Sequence, residues 1–380
     1  MERKLATVRR IKEILPIEGA DRIELAVVDG WKVVVAKDVQ HKVGDLVIYC
    51  EIDSFLPIRE EFEFLRKSSF KKMGDQEGFR LKTIRLRGQV SQGLLLPLSV
   101  LEDADEMKIG YSQQPWGMQL QLGPYDDALL IEEGTDVSNH LEIVKYEPPI
   151  PAELAGKVKG LFPSFIRKTD EERVQNLADD YEKWKLTSAH QFYVAEKLDG
   201  ASATYYFKDG VFGVCSRNLE LAEPEEFVPG MVMCDDGAER PKQENTFWKV
   251  ARQLDLKTKL GAVGYNICLQ GELIGEGIQG NPYGIKGQTV RFFSVYQIDS
   301  RTRLGIKDLE DICFMIGLQT VPILESNFLL PNTIEEMLQY AEGKSALNPK
   351  TEREGVVVRS LDGTISFKAI SNKFLLKNEQ

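Results

Sequence analysis

Cysteine and histidine are scarce in this sequence, and neither residue type forms a metal-binding pattern. The five cysteines lie far apart without a Cys-x-x-Cys pair, and only three histidines are present. An odd, scattered set of cysteines is typical of reduced thiols in a protein of a reducing compartment, and it argues against a structural zinc site. We therefore expect an intracellular protein, in the cytoplasm in the first instance, with a nuclear location left open.

Long apolar runs and an excess of positive charge are also missing. No uninterrupted apolar segment is long enough to cross a bilayer, so we expect no membrane partner. The net charge of -11 argues against a protein that binds nucleic acid over its whole surface. It leaves room for a local basic groove, because phosphate binding depends on where the cations lie. No feature of the sequence indicates an obligate protein partner.

The first part of the chain has a β pattern. Apolar residues alternate with polar ones around Ile23, Leu25 and Val27, and Asp29-Gly30 is a hairpin signal. A further turn at Val43-Gly44-Asp45 leads into another apolar run. Short strands joined by tight turns predict a small barrel in the first domain, which we place at residues 1–145.

A dense basic cluster stands out within this acidic chain. Phe70 and Phe79 are interleaved with the cations, and strict alternation over residues 80–87 would place the cations on one face of a strand. Such a surface is typical of a protein that binds nucleic-acid backbones, although a solvated strand face is the alternative. The predicted RNA-binding residues are Arg66, Lys67, Lys71, Lys72, Arg80, Lys82, Arg85 and Arg87.

The middle of the chain indicates a domain boundary. Residues 102–136 are acidic and weakly periodic, which we interpret as a long loop or an insertion in the first domain. Prolines and glycines then cluster within a short span, as in a linker, which we place at residues 146–165. The second domain is predicted over residues 166–380. It should begin with a helix, because Thr169-Asp170-Glu171-Glu172 has the spacing of a capping box, and that helix should continue to about Trp184.

One short motif in the second domain indicates chemistry rather than packing. Lys197-Leu198-Asp199-Gly200 follows the apolar run 192–195, which places an amine at the end of a strand where it can act as a nucleophile. The same four residues also occur by chance in surface hairpins. The motif therefore gains weight only from the residues that accompany it.

Further polar residues recur at strand positions after Lys197. Glu272 lies in Gly271-Glu272-Leu273-Ile274-Gly275, where glycines allow a ligand to approach the backbone. Each of these residues also has an ordinary explanation as an exposed strand residue or a core aromatic. Their joint order is much harder to obtain by chance, and the set is Glu272, Phe293, Glu354 and Lys368.

In this order the motifs resemble those of the covalent nucleotidyltransferase superfamily, which includes ATP-dependent ligases and capping enzymes. The β-rich module precedes the catalytic half here, and only twelve residues follow Lys368. This layout, with the stretch 17–21 and the segment 145–149, resembles the Deinococcus-type ATP-dependent RNA ligases, the fifth RNA ligase family. The resemblance implies an α+β fold, with an OB-like barrel followed by a ligase domain of ATP-grasp-like antiparallel sheets and helices.

The resemblance also implies a function, with ATP as co-substrate and Mg²⁺ or Mn²⁺ as cofactor. Lys197 would attack ATP and pass AMP to the 5′-phosphate of an RNA, or of an RNA-containing duplex with a nick or break, before a 3′-hydroxyl seals the strand. A DNA ligase or a capping-type guanylyltransferase is the alternative. An inactive nucleic-acid-binding homologue is a third hypothesis. Because a free lysine has a pKa of about 10.4, nearby cations or burial should lower the pKa of Lys197.

The resemblance assigns the remaining roles residue by residue. Glu354 would orient the metal ion, and Glu272 would accept hydrogen bonds from the ribose. Phe293, or Phe292 if the register differs by one, would stack on adenine. Ile370 stands where the superfamily often has a second lysine, so Lys373 is included as a substitute cation. The predicted ATP- and AMP-binding residues are Glu196, Lys197, Arg217, Glu272, Phe293, Glu354, Lys368 and Lys373.

Overall fold

The computed structural model describes residues 4–102, 109–114, 117–122, 129–147, 158–186, 191–224, 231–233, 239–241 and 245–378. The chain divides into two compact units. The first is formed by Met1–Pro149 with the segments Val174–Glu182 and Leu375–Gln380, and the second by Ile150–Arg173 and Lys183–Phe374. Among the helices of the described residues, none combines the length and the apolar character that a membrane span requires.

The first unit is built from short antiparallel strands and one helical turn. Its elements are β1 (Ala6–Pro16), β2 (Ile23–Val28), β3 (Trp31–Ala36), β4 (Leu46–Cys50), β5 (Ser54–Pro57), α1 (Arg66–Ser69), β6 (Phe70–Met73), β7 (Gln76–Arg80), β8 (Thr83–Leu86), β9 (Gln89–Gln92), β10 (Leu94–Leu96), β11 (Ile109–Gln114), β12 (Gly117–Leu122), β13 (Leu129–Ile131) and β14 (Val144–Lys145).

The long strand β1 organises the barrel of this unit. It pairs with β4 through Ala6 to Arg10 and with β2 through Ile11 to Pro16, and an irregularity in register lies between Ile11 and Glu13. Such an irregularity bends a strand, so one strand can take part in both halves of a curved sheet. The resulting strand order is β10-β4-β1-β2-β3, as expected for the predicted OB-like barrel.

The acidic segment 102–136 is not simply a loop. Its described residues include β11, β12 and β13, which form a three-stranded sheet. Leu122 and Ile131 of this segment are buried in the same core as Val8 and Phe79. The rest of the segment, residues 103–108, 115–116 and 123–128, lies outside the described residues.

The prediction of one continuous cationic strand over residues 80–87 was wrong. β7 ends at Arg80 and β8 begins at Thr83, and the two strands belong to different sheets. The backbone N–H of Asp53 donates to the carbonyl oxygen of Leu81, and the N–H of Leu81 donates to the carbonyl oxygen of Ser54, both at 2.9 Å. Burial still alternates from Arg80 to Thr83, but residues 84–87 of the following hairpin are all exposed, which ends the alternation on which the prediction depended.

The second unit holds two larger sheets with helices. Its elements are β15 (Val158–Leu161), β16 (Glu172–Arg173), α2 (Ala178–Leu186, which begins in the first unit), β17 (Phe192–Lys197), β18 (Ala201–Lys208), β19 (Val211–Cys215), β20 (Leu219–Leu221), β21 (Met231–Met233), β22 (Glu239–Pro241), α3 (Thr246–Gln253), α4 (Leu256–Gly261), β23 (Ile267–Gly275), β24 (Gln288–Gln297), β25 (Thr302–Arg303), α5 (Ile306–Met315), β26 (Ile323–Phe328), α6 (Ile334–Ala341), β27 (Gly355–Ser360), β28 (Ser366–Ile370) and α7 (Asn372–Asn378, shared with the first unit).

The two main sheets of this unit are mostly antiparallel. One has the order β15-β20-β19-β18-β23-β24-β25, and the other has the order β16-β28-β27-β17-β26. β18 and β19 form the hairpin predicted at Asp209-Gly210, where both residues have positive φ as a tight hairpin turn requires. The first sheet buries one face against α3, α4 and α5, through residues such as Leu269 and Leu309.

The helix predicted from Thr169 to Trp184 begins later. Residues 172–173 form β16, a 3₁₀ turn follows, and α2 begins only at Ala178. Two acidic residues inside the supposed capping box, between Thr169 and Glu172, are used elsewhere. Asp170 pairs with Lys368 and Arg217, and Glu171 pairs with Arg359. Ion pairs with distant strands therefore outweigh the local capping signal.

The core position of Leu269 provides a test of this packing. Because its side chain is fully buried between the sheet and helices, Leu269→Ala should lower the free energy of unfolding by about 2–5 kcal/mol. Leu329→Ala makes the same chemical change at a position that is 85% exposed, and it should change stability by less than about 0.5 kcal/mol. Denaturant unfolding measures both, and equal effects would contradict the assigned core.

Candidate functional site

Lys197 lies at the end of β17, opposite the start of β27. The register pairs Lys197 with Gly355, so the preceding Glu354 comes next to the lysine side chain. Lys197 Nζ donates to Glu354 Oε1 at 2.6 Å. A Cβ at Gly355 would lie 2.2 Å from the carbonyl oxygen of Ala369. A glycine is therefore needed for the strands to pack at the point that brings Lys197 and Glu354 together.

Two further carboxyl groups lie near this pair. Burial raises the pKa of Glu272 to about 8, with Lys197 opposing the rise and Glu354 adding to it. Burial also raises the pKa of Asp199 to about 6, and Glu354 contributes in the same direction. The carboxyl groups therefore repel one another, and one lysine does not compensate them fully.

The same carboxyl groups act on the lysine. Burial alone would lower the pKa of Lys197, but the charges of Glu354 and Glu272 outweigh it, so this pKa is raised above its ordinary value. The expectation of a lowered lysine pKa is therefore wrong for the protein without metal or nucleotide. The physical reason is that acidic groups, not cations, lie closest to the amine.

The turn after Lys197 is tightly packed against β23. A Cβ at Gly200 would lie 2.4 Å from the carbonyl oxygen of Leu273 and 2.9 Å from Cγ of Glu272. The glycine of the motif thus allows the turn to approach the strand that carries Glu272. This close approach brings the two motifs into one site.

Arg217 and Lys368 form a second cluster around one carboxylate. Lys368 Nζ lies 3.2 Å from Asp170 Oδ1, and Arg217 Nη2 lies 3.3 Å from Asp170 Oδ2. Arg217 also favours the ionised form of Glu272, which connects this cluster with the first. Two cations from the predicted ATP- and AMP-binding set are therefore brought together, and an incoming phosphate would compete with Asp170 for them.

Phe293 lies at an irregularity in β24. Gln270 pairs with Ser294 and Gly271 pairs with Phe292, so Phe293 is the extra residue between them. Phe292 is fully buried in the core and packs against Tyr205, which excludes it as the stacking residue. Phe293 is only partly buried and packs with Ala195 of β17 and its neighbours.

A buried ion pair supports Phe293 from behind. The guanidinium of Arg359 lies 5.8 Å from the centre of the Phe293 ring, and its Nη1 donates to the Phe293 carbonyl oxygen. Its Nη2 lies 2.7 Å from Glu171 Oε1. Burial would raise the pKa of Glu171, but Arg359 and Arg303 lower it to about 2, so this pair stays ionised. Sequence reasoning did not find this pair, because Glu171 had the pattern of a helix cap.

Two of the predicted nucleotide-binding residues point elsewhere. Glu196 is buried, and its Oε2 accepts a hydrogen bond from the N–H of Ala346 at 2.8 Å. Lys373 is exposed and pairs with Glu342 at 2.7 Å. Within the described residues, its ion pair is therefore not with one of the carboxyl groups beside Lys197.

The carboxyl groups around Lys197 are candidate ligands for a metal ion. Among the described residues, no group of three Asp, Glu, His or Cys side chains is close enough to hold a metal alone. Mg²⁺ usually binds proteins through one or two carboxylates and keeps several waters, so a full protein cage is not required. The repulsion between Glu354, Glu272 and Asp199 is the charge pattern that a divalent cation would relieve.

The predicted RNA-binding residues of the first unit fall into two groups. Some are neutralised locally, since Arg66 pairs with Glu63, Lys72 with Glu77, and Arg80 with Asp53. Lys82 has further contacts of its own. The structure records no ion pair within the described residues for the remaining cations, which are Lys67, Lys71, Arg85 and Arg87.

Arg85 and Arg87 belong to an exposed hairpin. β8 and β9 pair through Leu86 and Gln89, and the turn between them is Arg87-Gly88, with φ values of 48° and 84°. Two positive φ values are characteristic of a tight type I′ hairpin turn. The Arg85 side chain donates a hydrogen bond to the carbonyl oxygen of Gly88 at 3.2 Å, within the hairpin itself. The hairpin thus presents charged groups that solvent can reach.

Comparisons with known proteins give matches to both units. A family model described as an OB-fold domain matches residues 5–98, and one described as RNA ligase matches residues 190–377. A solved structure of Naegleria gruberi RNA ligase with PPi is 39% identical, and the match covers 100% of this chain and 99% of that one, with a TM-score of 0.81.

Other structures of the same ligase give similar values. A mutant with ATP and Mn is 38% identical over 100% of both chains, with a TM-score of 0.80. A mutant with AMP and Mn is 38% identical over 99% of both chains, with a TM-score of 0.81. Comparison with curated proteins gave no match.

The raised pKa of Glu272 predicts a dependence of stability on pH. The folded protein binds a proton at Glu272 more tightly than the unfolded chain does, so stability should fall as pH rises from about 4.5 to about 8. Glu272→Gln removes this group, and its melting temperature relative to the unsubstituted protein should rise over that window. The gain should reach roughly 1–3 kcal/mol, because water reaches part of the side chain.

The control is Glu276→Gln, which changes an exposed carboxyl group just beyond β23. It should shift the melting temperature by the same small amount at every pH. A gain for Glu272→Gln that does not change between pH 5 and pH 9 would contradict the assigned electrostatics. Thermal unfolding without nucleotide or metal gives the comparison.

Proposed function

This chain is an ATP-dependent member of the RNA ligase family, and on that premise we propose that Lys197 is the residue that carries AMP. The observation that supports this role is the position of Lys197 Nζ, 2.6 Å from Glu354 Oε1 and beside Glu272 and Asp199. A lysine at a strand end, surrounded by groups that can bind a metal and a nucleotide, is placed to act as a nucleophile.

In the first step, Lys197 Nζ forms a bond to the α-phosphorus of ATP. The bond from that phosphorus to the oxygen leading to the β-phosphate breaks, and pyrophosphate leaves with the electron pair. Nζ must lose its proton for this attack, and Glu354 Oε1 is the recorded hydrogen-bond acceptor. Holding the amine close to the phosphorus is the main contribution that the β17–β27 pairing makes.

The ligase uses a divalent metal with ATP, and the carboxyl groups around Lys197 fit it. We propose that Glu354 is the residue that holds the ion, directly or through its waters, and that Glu272 contacts the ribose. When bound, Mg²⁺ or Mn²⁺ would supply positive charge that neutralises the triphosphate and offsets the repulsion between the carboxyl groups.

The second cluster provides the phosphate contacts. We propose that Lys368 binds the phosphates of ATP, and that Arg217 binds the AMP ribose or the incoming 5′-phosphate of RNA. Arginine suits the second role, because its planar fork of donors matches a phosphate group. Each phosphate displaces the carboxylate of Asp170 from these cations. Phe293 is the proposed stacking partner of adenine, with Arg359 fixing its backbone.

The remaining steps move AMP to RNA and then release it. An oxygen of the RNA 5′-phosphate attacks the phosphorus of lysyl-AMP, which restores the amine of Lys197 and leaves RNA with a 5′ AMP cap. A 3′-hydroxyl then attacks the RNA phosphate, and AMP leaves. We propose that the substrate is a nicked or broken RNA-containing duplex, and that the enzyme belongs to the Deinococcus-type branch. The assignment to this branch is supported by the order of the two units, in which the OB-fold unit precedes the ligase unit.

A labelling experiment tests the nucleotide step. With labelled ATP and Mn²⁺, the protein should form a covalent adduct that survives denaturation, and GTP should give none. Lys197→Ala should reduce the adduct by at least about 10³-fold, because the attacking atom is lost. Lys257→Ala, an exposed lysine of α4, is the matched control and should label normally. Labelling from GTP alone would contradict the assignment.

The basic hairpin predicts a salt effect on RNA binding. Replacing Arg85 and Arg87 with glutamine should make RNA affinity less dependent on salt. The negative slope of log affinity against log salt concentration should become shallower by about 1.5, because two phosphate contacts are lost. The matched control replaces Arg66 and Lys72, whose charges Glu63 and Glu77 already neutralise. It should change the slope much less. Equal changes of the slope in both double variants would contradict our proposal that Arg85 and Arg87 of the β8–β9 hairpin bind RNA phosphates.

A further inference from the structure

The loop of residues 276–287 joins β23 to β24 next to the Lys197 site, and its backbone is unusual. Left-handed residues recur along it, including Gln279 and Asn281, which are not glycines. Asn281 shapes the loop with its own side chain, since Nδ2 donates to the carbonyl oxygen of Ile285 at 2.9 Å and Oδ1 accepts from the N–H of Ile285 at 3.1 Å. These bonds fix a conformation that costs energy at non-glycine residues.

This loop contacts the turn that follows Lys197. The hydroxyl oxygen of Tyr283 accepts a hydrogen bond from the backbone N–H of Asp199 at 2.6 Å. Gln279 Nε2 donates to the carbonyl oxygen of Gly200 at 3.4 Å. The turn is thus held from the loop side by Tyr283 and from the strand side by the close approach of Gly200 to Leu273.

The same loop also contacts the segment that precedes Glu354. The carbonyl oxygen of Pro282 accepts hydrogen bonds from Asn348 Nδ2 at 2.9 Å and from Thr351 Oγ1 at 2.8 Å. An apolar cluster joins the three segments, because Leu198 of the turn and Tyr283 of the loop pack with Leu347. The loop therefore contacts both the turn that follows Lys197 and the segment that precedes Glu354.

We infer that the loop 276–287 is a clasp that sets the position of Lys197 relative to Glu354, and that Tyr283 is its positioning residue. The inference rests on the proposed role of Lys197. Tyr283 is not assigned to contact ATP or RNA. It acts through the backbone of Asp199, two residues from the nucleophile.

The hydroxyl group is the part of Tyr283 that packing alone does not explain. The residue is 6% exposed, and a phenylalanine would fill the same apolar space. Burial raises the pKa of Tyr283, so its hydroxyl stays protonated. Within the described residues, this oxygen is the hydrogen-bond partner of the Asp199 N–H, and an N–H that loses its partner leaves the turn free to shift.

Tyr283→Phe tests the inference by removing one oxygen. In single-turnover experiments with ATP and Mn²⁺, lysyl-AMP formation should slow by about 10-fold, while the ATP concentration at half-maximal rate stays unchanged. Joining of RNA that already carries a 5′ AMP cap needs no attack by Lys197, so it should continue at nearly the normal rate. This split between steps would not result from general loosening of the fold.

Two further variants complete the design. Tyr340→Phe removes a hydroxyl that bonds Glu325 at 2.7 Å, away from the loop, and should leave both steps unchanged. Asn281→Gly keeps the left-handed backbone but removes the side-chain bonds that shape the loop. It should slow lysyl-AMP formation selectively, as Tyr283→Phe does.

The outcomes separate this inference from the proposed function. If the unsubstituted protein labels normally and Tyr283→Phe labels at the same rate, the clasp is overturned while the ligase function stands. An equal fall in both steps also overturns it, because Tyr283 would then be merely structural. Absence of lysyl-AMP in the unsubstituted protein would overturn the proposed function and the clasp together.

Discussion

The contact between Lys197 and Glu354 is the interaction on which the site depends. It exists because β17 and β27 pair in one register, and Gly355 lets β28 approach closely enough to complete that sheet. A shift of one residue would turn every side chain of β17 to the opposite face. The sheet therefore does more than support the site, since its register decides which groups meet the nucleophile.

Charge explains why this arrangement suits an ATP-dependent ligase. Without ligands, the carboxyl groups near Lys197 repel one another, and the cations Arg217 and Lys368 share the carboxylate of Asp170. In the mechanism that we propose, a triphosphate with a divalent metal would bring positive charge to the first cluster and negative charge to the second. Both clusters would then exchange contacts within the protein for contacts with the ligand.

The sequence singled out Lys197, Glu272, Glu354 and Lys368 because they stand in ordered motifs in or next to strands. The rest depends on long-range pairing that no local pattern contains. The acids Asp170 and Glu171 have the pattern of a helix cap but pair with distant strands. In the first unit, the structure is needed to distinguish the cations that pair with acidic side chains from those that do not. Tyr283 lies in a loop whose role appears only from its contacts.

The class of the fold could be predicted from the sequence, but the bounds of individual strands and helices could be predicted less well. Tight turns with Asp-Gly pairs correctly indicated hairpins, as at Asp209-Gly210. The alternation over residues 80–87 failed because β7 ends at Arg80 and residues 84–87 of the next hairpin are all exposed. The register at Phe293 depends on an irregularity in β24. Local periodicity describes regular strands well, but functional positions here often lie where strands are interrupted.

The most direct test of the account is to locate the attached AMP by peptide mass spectrometry after incubation with ATP and Mn²⁺. The account predicts that a single peptide gains the mass of one AMP and that fragmentation places it on Lys197. AMP attached to another residue, or a protein that stays unmodified while it joins RNA, would contradict the central claim that Lys197 carries the nucleotide.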